Sequence, residues 1–308
     1  MKKIAISIGD LNGVGFEIAL LAHDFARSIA KPIYCIPREM ALQSSKLLKR
    51  DLPKDFTCVD ELRSFTIEAG TISADSGMAS FESFVKALDL AEREALAVVT
   101  LPINKAAWQA AGLRYKGHTD YLRDRFGEGV MMLGCPKRYA VLYTDHIPLS
   151  NVAKMIRSEP LGDFLLRVAA MIPIEPIGVL GLNPHSGDHG AIGSEESAIE
   201  SAIERANNLI KRRVFEGAIV PDIAFTPKAL QRWRVIVAMY HDQALAPLKA
   251  LFFDEAINVT LGLPFTRTSV DHGTAFDIAY KNANPSIQSY KNALFCAVNG
   301  IFNPRLTV

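Results

Sequence analysis

The stretch VIVAMYHDQALAPLK, residues 235–249, changes abruptly from apolar to polar. Its first residues form a continuous apolar run, which is typical of a strand buried on both faces of a parallel sheet. His241, Asp242 and Gln243 come almost directly after this run, and Lys249 follows. Ligands of parallel α/β sheets bind at the carboxyl ends of the strands. The stretch therefore predicts a core strand whose carboxyl end carries functional side chains.

The same pattern recurs along the chain and predicts the fold class. Apolar runs of strand length alternate with amphipathic segments, which is typical of an α/β protein with a largely parallel sheet. Two segments are predicted helices: 80–95, with Ser80 as the N-cap, and 194–213, with Ser194 as the N-cap. The predicted strands cover 3–8, 32–36, 96–101, 139–143, 177–182 and 234–240.

The composition is that of an ordinary globular protein. The 308 residues suffice for one large core or two lobes, and 49% of them are hydrophobic. The net charge of +1 gives no general affinity for nucleic acid or for an anionic membrane, and no apolar run approaches the ~18–20 residues of a membrane span. The four cysteines are widely spaced without a CxxC pair, which favours reduced thiols in a cytoplasmic protein.

Three histidines occupy equivalent places, each just beyond an apolar run. His146 ends RYAVLYTDH, His185 ends IGVLGLNPH and His241 ends WRVIVAMYH. If these strands are parallel neighbours, the three imidazoles can meet at one edge of the sheet and bind a divalent metal. Their spacing matches no short metal-binding motif, so polar residues that merely end a strand are the alternative. Asp242 either orients an imidazole or caps the next turn.

Several basic and polar side chains farther along are suited to bind a substrate with phosphate and carboxylate groups. His118 and Thr119 stand where a helix is expected to begin, which favours either an anion site or a simple helix cap. Lys249, Asn258 and Arg267 recur every nine residues, and solvated surface positions are their alternative.

Two glycine-containing segments differ in what they predict. IGDLNGVGFE, residues 8–17, follows the first strand but lacks the GxGxxG fingerprint, so it predicts a tight turn into a helix rather than a Rossmann dinucleotide site. Residues 271–275 combine small and polar side chains within a region rich in core residue types. Close approach of the backbone to a ligand would explain Gly273 there.

These segments together resemble one family, the 4-hydroxythreonine-4-phosphate dehydrogenases of vitamin B6 synthesis. The resemblance runs from Gly9 to Pro285 and is specific because it combines many motifs. It departs from the family pattern at Leu11-Asn12, which replaces Pro-Ala, at Asp145, which replaces Thr, and at Tyr280, which replaces Gly. The motifs that carry it are LPINK, GHTDYL, GLNPHSG, MYHDQALAPLK and NVTLGLPFTRTSVDHGTAFDIA.

The resemblance implies a fold like that of the isocitrate and isopropylmalate dehydrogenases. The chain would form two α/β/α lobes with mostly parallel sheets and an active-site cleft between the lobes. The expected lobes are residues 1–125 plus 260–308, and residues 126–259. The resemblance also implies a homodimer, whereas the charge balance and the short apolar runs indicate that the protein binds neither nucleic acid nor a membrane.

The resemblance further implies which residues bind each ligand. A divalent metal, expected to be zinc, magnesium or cobalt, would be bound by the three histidines in a site shared across the dimer. Asp242 and Lys249 are the side-chain candidates for the catalytic base, and a metal-bound water is the third candidate. The positions that match substrate contacts are His118, Thr119, Lys249, Asn258 and Arg267. The positions that match the segment around the adenosine part of NAD or NADP are Asp271, His272, Gly273, Thr274 and Ala275.

The implied activity is oxidation of 4-phosphooxy-L-threonine at its C3 hydroxyl, with hydride transfer to NAD or NADP. The product, 2-amino-3-oxo-4-phosphooxybutanoate, would lose CO2 to give 3-amino-2-oxopropyl phosphate for pyridoxine 5'-phosphate synthesis. A dehydrogenase for 4-phospho-threonate or 4-phospho-erythronate is the near alternative. A metal-dependent hydrolase or transferase and a noncatalytic binding protein are alternatives from other classes. The metal triad beside a cofactor segment argues against both of these.

Overall fold

The computed structural model describes residues 1–94 and 96–303. Residue 95, at the end of the first predicted helix, and residues 304–308, at the end of the first expected lobe, lie outside the described residues. The chain divides into two compact units. The first comprises Met1–Gly129 and Ile257–Ile301, and the second comprises Val130–Ala256 with the segment that starts at Phe302.

Strands and helices alternate along most of the described chain. The strands are β1 (Lys3–Ser7), β2 (Lys31–Cys35), β3 (Thr57–Cys58), β4 (Ala97–Thr100), β5 (Val130–Cys135), β6 (Arg138–Leu142), β7 (Ile177–Leu180), β8 (Phe215–Ile219), β9 (Val235–Ala238), β10 (Ile257–Leu261) and β11 (Arg267–Val270). The helices are α1 (Gly15–Leu21), α2 (His23–Ile29), α3 (Arg38–Leu48), α4 (Ala74–Glu94), α5 (Lys105–Ala110), α6 (His118–Phe126), α7 (Leu149–Met155), α8 (Ser158–Met171), α9 (Glu195–Ile210), α10 (Pro227–Arg232), α11 (His241–Phe252) and α12 (Gln288–Asn299). Within residues 1–94 and 96–303, none of these helices is both long and apolar enough to cross a bilayer.

In the first unit the strand order is β3-β2-β1-β4-β11-β10. Neighbouring strands are parallel except β10 and β11, which are antiparallel. On one face, Phe84 of α4 lies in a buried cluster with Ala5 and Val98. On the other face, the Thr268 hydroxyl donates to the main-chain oxygen of Ala293 on α12. Helices thus cover both faces, which explains the continuous apolar runs of these strands.

In the second unit the strand order is β5-β6-β9-β7-β8. Only β5 and β6 are antiparallel. All four residues of β9 are fully buried between β6 and β7, and Ile236 and Ala238 pack with Leu245 of α11. The ring of Tyr143, just after β6, contacts Phe164 of α8. The apolar start of the stretch 235–249 is therefore a central strand, as predicted.

The predicted α/β class with mostly parallel sheets is confirmed, and each of the six predicted strands forms within two residues of its expected bounds.

The helix starts were predicted less well. Helix α4 begins at Ala74, so Ser80 is not its N-cap and instead donates to Gly77 O inside the helix. Packing stabilises this earlier start, because a Cβ on Gly77 would lie only 2.1 Å from Ala107 O. Ser194 is the N-cap residue of α9, but its side chain makes no capping bond.

The four cysteines are free thiols, as predicted. Cys35, Cys135 and Cys296 are buried, and Cys58 is half-buried. Burial raises the pKa of the Cys35 thiol to about 12, so this group stays protonated at neutral pH. The buried thiols therefore serve as small apolar side chains of the core.

The glycine-containing turn after β1 is a tight connection into α1, as predicted. Gly9 has a φ of +73°, and a Cβ there would lie 2.2 Å from Pro102 O. A Cβ on Gly13 would lie 2.6 Å from Thr274 O, an atom that accepts a hydrogen bond from Val14 N. Contacts within the chain itself therefore require both glycines.

Hydrogen bonds of Asn12 and Asp10 stabilise this turn of the first unit. Asn12 Oδ1 accepts a hydrogen bond from Glu68 N at 2.9 Å, and its Nδ2 donates to Thr71 O at 2.8 Å. This departure from the family pattern thus braces the turn. Asp10 is fully buried and accepts hydrogen bonds from Asn12 N and Ser76 Oγ. Burial raises the pKa of Asp10 from 3.8 to about 6.

We expect Asp10→Asn to stabilise the protein at neutral pH. A carboxyl group whose pKa is raised on folding contributes full stability below its unfolded pKa, and this contribution is lost as pH rises to about 6. The shift corresponds to about 3 kcal/mol. Urea denaturation measures the free energy of unfolding of both proteins. From about pH 5 to about pH 7.5, this free energy should fall by about 1.5 kcal/mol more in wild type than in the variant. Exposed Asp51→Asn is the matched control, and equal pH dependence for Asp10→Asn and wild type would contradict the raised pKa.

Candidate active site

Two of the three predicted metal ligands lie side by side in the second unit. Strands β6 and β9 are parallel neighbours in register up to Leu142 and Ala238, so their carboxyl ends lie together. His146 follows β6, and His241 opens α11 just after β9. Their ring centroids are 5.5 Å apart. The two imidazoles therefore stand at one edge of the sheet, a placement that suits ligands of a single metal.

Asp242 fixes the orientation of the His241 ring. Its Oδ1 lies 2.6 Å from His241 Nδ1. Because a carboxylate can only accept, Nδ1 carries the proton and Nε2 presents its lone pair. Carboxylates orient metal-binding imidazoles in this way. Asp145, another departure from the family pattern, lies beside His146 with Oδ2 3.8 Å from Nδ1. Of the two roles predicted for Asp242, orientation of an imidazole thus has direct geometric support.

His185 lies in an unusual turn after β7. Residues 185–189 all have positive φ, between 42° and 75°. Left-handed backbone costs non-glycine residues roughly 1–2 kcal/mol each, so neighbouring groups must hold this turn. Asn183, just before it, donates from its main-chain N and from Nδ2 to the Glu196 carboxylate. Within residues 1–94 and 96–303, no three His, Cys, Asp or Glu side chains are grouped to hold a metal, so the three-histidine ligand set stays a prediction.

In the first unit, two predicted substrate contacts meet each other directly. Arg267 on β11 is only 3% exposed. Its Nη2 donates to Thr100 Oγ1 at 2.7 Å and lies 3.3 Å from His118 Nδ1. Its Nη1 donates to Thr260 Oγ1 at 3.1 Å. Two hydroxyls and an imidazole therefore contact a buried cation, and none of these groups carries a negative charge.

Both His118 and Arg267 retain an unused hydrogen-bond donor. Burial, with a smaller effect of the Arg267 charge, holds the pKa of His118 well below its ordinary value, so the ring is neutral. Because Nδ1 accepts from the guanidinium, the proton is on Nε2, which is buried without a partner in the described residues. Arg267 Nε is also buried without a partner there. Burial lowers the pKa of Arg267 to about 10, so the group stays charged at neutral pH. Unpartnered buried donors of this kind call for an acceptor.

The other predicted substrate contacts are more exposed. Asn258 on β10 is half-buried and, by strand alternation, shares a face with Thr260. Thr119 is exposed in the first turn of α6. The N-cap of α6 is Gly117, so the alternative in which Thr119 only caps the helix is wrong. Lys249 is half-buried on α11.

The predicted cofactor segment directly follows β11. Asp271 N is hydrogen-bonded to Ser289 Oγ, and Thr274 O to the first turn of the chain. His272 Nδ1 lies 3.0 Å from Gly273 O, and its Nε2 is buried without a partner in the described residues. A Cβ built on Gly273 meets no atom within 4 Å, and its φ is not left-handed. The chain itself therefore does not require a glycine here, as expected of a position that a ligand approaches.

Tyr280 replaces the family's glycine near the end of this segment. Its φ is +58°, in the left-handed region that favours glycine, as is the φ of Ala275. The Tyr280 hydroxyl donates to Leu11 O at 2.7 Å and lies 3.2 Å from Ser44 Oγ. Burial raises the pKa of this phenol far above its ordinary value. The hydrogen bond offsets the backbone strain and joins two positions, Leu11 and Tyr280, that both depart from the family pattern.

The family model described as pyridoxal phosphate biosynthetic protein PdxA matches residues 24–297. The chain belongs to the PdxA family. A curated relative from Sulfurimonas denitrificans, named 4-hydroxythreonine-4-phosphate dehydrogenase, is 50% identical over 298 residues, which cover 96% of this chain and 97% of the relative. A relative of the same name from Campylobacter fetus is 48% identical over 301 residues, which cover 97% and 98%.

Solved structures of similar proteins share this fold. The crystal structure of 4-hydroxythreonine-4-phosphate dehydrogenase from Klebsiella pneumoniae has a TM-score of 0.81 at 30% identity, covering 96% of this chain and 98% of that one. A terephthalate 1,2-cis-dihydrodioldehydrogenase from Burkholderia xenovorans has a TM-score of 0.66 at 22% identity, covering 97% and 98%. At that identity, the likeness extends to the fold alone.

Sequence reasoning missed the groups that support the candidate site of this PdxA-family chain. Thr100 and Thr260 bind the guanidinium of Arg267. Thr100 could have been found, because it is the one polar residue in the apolar run LAVVTL. Gln243 lies in the stretch 235–249, but its partners are main-chain atoms, which no sequence pattern reveals.

We expect Asp242→Ala to weaken divalent-metal binding about 10–100-fold, because the His241 ring loses the carboxylate that orients it. Titration of chelator-treated protein with Co2+, followed by visible absorption, measures this affinity. Asp254→Ala, at an exposed position just beyond α11, is the matched control and should bind like wild type. Wild-type affinity in Asp242→Ala would contradict the orienting role.

Proposed function

We propose that this chain oxidises the C3 hydroxyl of 4-phosphooxy-L-threonine, with NAD or NADP as the hydride acceptor. Curated relatives at 50% and 48% identity are named 4-hydroxythreonine-4-phosphate dehydrogenase. The family model carries the description of a pyridoxal phosphate biosynthetic protein, which agrees with a role in vitamin B6 synthesis. At the level of the site, the observation that carries the proposal is the buried, uncompensated charge of Arg267.

An anionic substrate would complete the surroundings of Arg267. A buried charge is unfavourable unless it is paired and hydrogen-bonded. Arg267 Nε and His118 Nε2 have no partner among the described residues, and phosphate or carboxylate oxygens accept hydrogen bonds from donors of this kind. The proposed substrate carries one group of each kind. Thr119, in the first turn of α6, and Asn258 supply further polar contacts in this proposal.

The proposed reaction has two steps. The C3 hydroxyl gives its proton to a base while hydride passes from C3 to the nicotinamide. The resulting ketone is β to the carboxylate, so the bond to CO2 breaks with its electron pair moving toward the ketone, and protonation yields 3-amino-2-oxopropyl phosphate. Asp242 and Lys249 are the side-chain candidates for this base, and Lys249 is also a proposed substrate contact.

We propose that His146, His185 and His241 hold the divalent metal, in a site completed across a homodimer. The donor set suits zinc or cobalt, because imidazole nitrogen binds these metals well and magnesium prefers oxygen. The adjacent rings of His146 and His241 support this assignment, as does the proton on Nδ1 that leaves Nε2 of His241 available. When bound, the metal supplies Lewis-acid stabilisation of negative charge on the substrate.

Residues 271–275 are proposed to bind the adenosine part of NAD or NADP. The open space around Gly273 supports this assignment, because the backbone there is accessible to a ligand at no steric cost. The proposal places the reaction in the cytoplasm, where thiols such as the four free cysteines remain reduced.

The activity is tested by following reduced nicotinamide with purified protein, 4-phosphooxy-L-threonine and either NAD or NADP. We expect cofactor reduction that is lost on chelation and restored by zinc or cobalt. Parallel assays with 4-phospho-threonate and 4-phospho-erythronate test the near alternative, and faster turnover of either would replace the proposed substrate. If folded protein reduces neither cofactor with any of these compounds, the dehydrogenase assignment is wrong.

Arg267→Met tests the proposed anion contact. We expect the KM for the phosphorylated substrate to rise about 10–150-fold, because hydrogen bonds to a charged group contribute about 1.5–3 kcal/mol. The melting temperature is measured alongside, because Thr100, Thr260 and His118 lose a hydrogen-bond partner in the variant. Arg123→Met, at an exposed position on α6, is the matched control. A wild-type KM in Arg267→Met would contradict the proposed contact.

A further inference from the structure

Gln243 uses both ends of its side-chain amide to join two strand ends. It is buried in the first turn of α11. Its Oε1 accepts a hydrogen bond from Met239 N at 2.7 Å, just after β9. Its Nε2 donates to Gly181 O at 2.7 Å, just after β7. A single side chain thus links the main chain of two parallel strands at the points where they leave the sheet.

These bonds lie beyond the regular pairing of the two strands. The β7–β9 register ends at Val179 and Val237. On the other side of β9, main-chain hydrogen bonds continue the pairing with β6 beyond the ends of the two strands. The Thr144 hydroxyl also donates to Met239 O there, at 2.6 Å. Between β7 and β9, Gln243 supplies the cross-strand bonds instead. The segments it joins lead directly to two of the candidate metal ligands, His185 and His241.

The side chain of glutamine suits this task by its chemistry and by its length. Its amide offers one acceptor oxygen and a donor nitrogen, and the structure uses both. Methionine has a similar length but lacks a comparable donor or acceptor, and asparagine is one methylene shorter. Buried polar groups that are fully hydrogen-bonded specify a local geometry more strictly than apolar contacts do.

We propose that Gln243 is a positioning residue for the metal centre. By bonding Met239 and Gly181, it sets the distance between the ends of β9 and β7 and therefore the relative placement of His241 and His185. In a symmetric dimer, Gln243 holds these two strand ends in the same way in each protomer. The inference rests on the proposed function because it takes these histidines as metal ligands.

The test is Co2+ binding by the full-length, chelator-treated protein. We expect Gln243→Met to lower Co2+ affinity about 10-fold or more and to change the visible absorption spectrum, which reports ligand geometry. Gln231→Met, at an exposed position on α10, makes the same chemical change without buried partners and should match wild type. The melting temperature of each metal-free protein is measured alongside, because a merely structural role lowers stability without moving affinity or spectrum.

The possible outcomes separate the positioning role of Gln243 from the existence of the metal centre. Wild-type affinity and spectrum in Gln243→Met, with only the melting temperature lowered, would overturn the positioning role and leave the metal centre intact. If Gln243→Met does not fold, Gln243→Asn decides the question by the same titration, since it keeps the amide but cannot reach both partners. If wild type itself binds no Co2+, the metal centre of the proposed function fails and the positioning role fails with it.

Discussion

A strand that is buried on both faces can present side chains to a ligand most easily where it ends, and this constraint organises the protein. The four residues of β9 are apolar and inaccessible to solvent, so His241 and Asp242 come after it. Arg267 is a buried cation at the first position of β11. Its charge is tolerated with the help of hydroxyls from β4 and β10, and a bound anion would remove the remaining imbalance.

The sequence could predict the strands because continuous apolar runs are a local property of the chain. It could not predict the start of α4, which depends on close packing of Gly77 against α5. It also could not predict that His118 touches Arg267, since 149 residues separate them and only the packing of α6 on the sheet brings them together. The histidines at the strand ends were visible in the sequence, but the hydrogen bond that orients His241 needed coordinates.

Differences from the PdxA pattern occur where the chain contacts itself. Asn12 bonds to the segment around Glu68, and Tyr280 bonds to the main-chain oxygen of Leu11. Tyr280 takes a backbone conformation that favours glycine, which explains how a tyrosine can stand at a glycine position without altering the course of the chain. Both side chains therefore stabilise the turn after β1 or the segment packed against it.

The bonds made by Gln243 have a consequence for how such a site can change during evolution. They end on main-chain atoms of Met239 and Gly181, which every amino acid except proline presents alike. The spacing of the strand ends is therefore independent of which side chains those ends display. Side chains that follow Met239 and Gly181, among them His241 and His185, can therefore be exchanged without removing either of these two bonds.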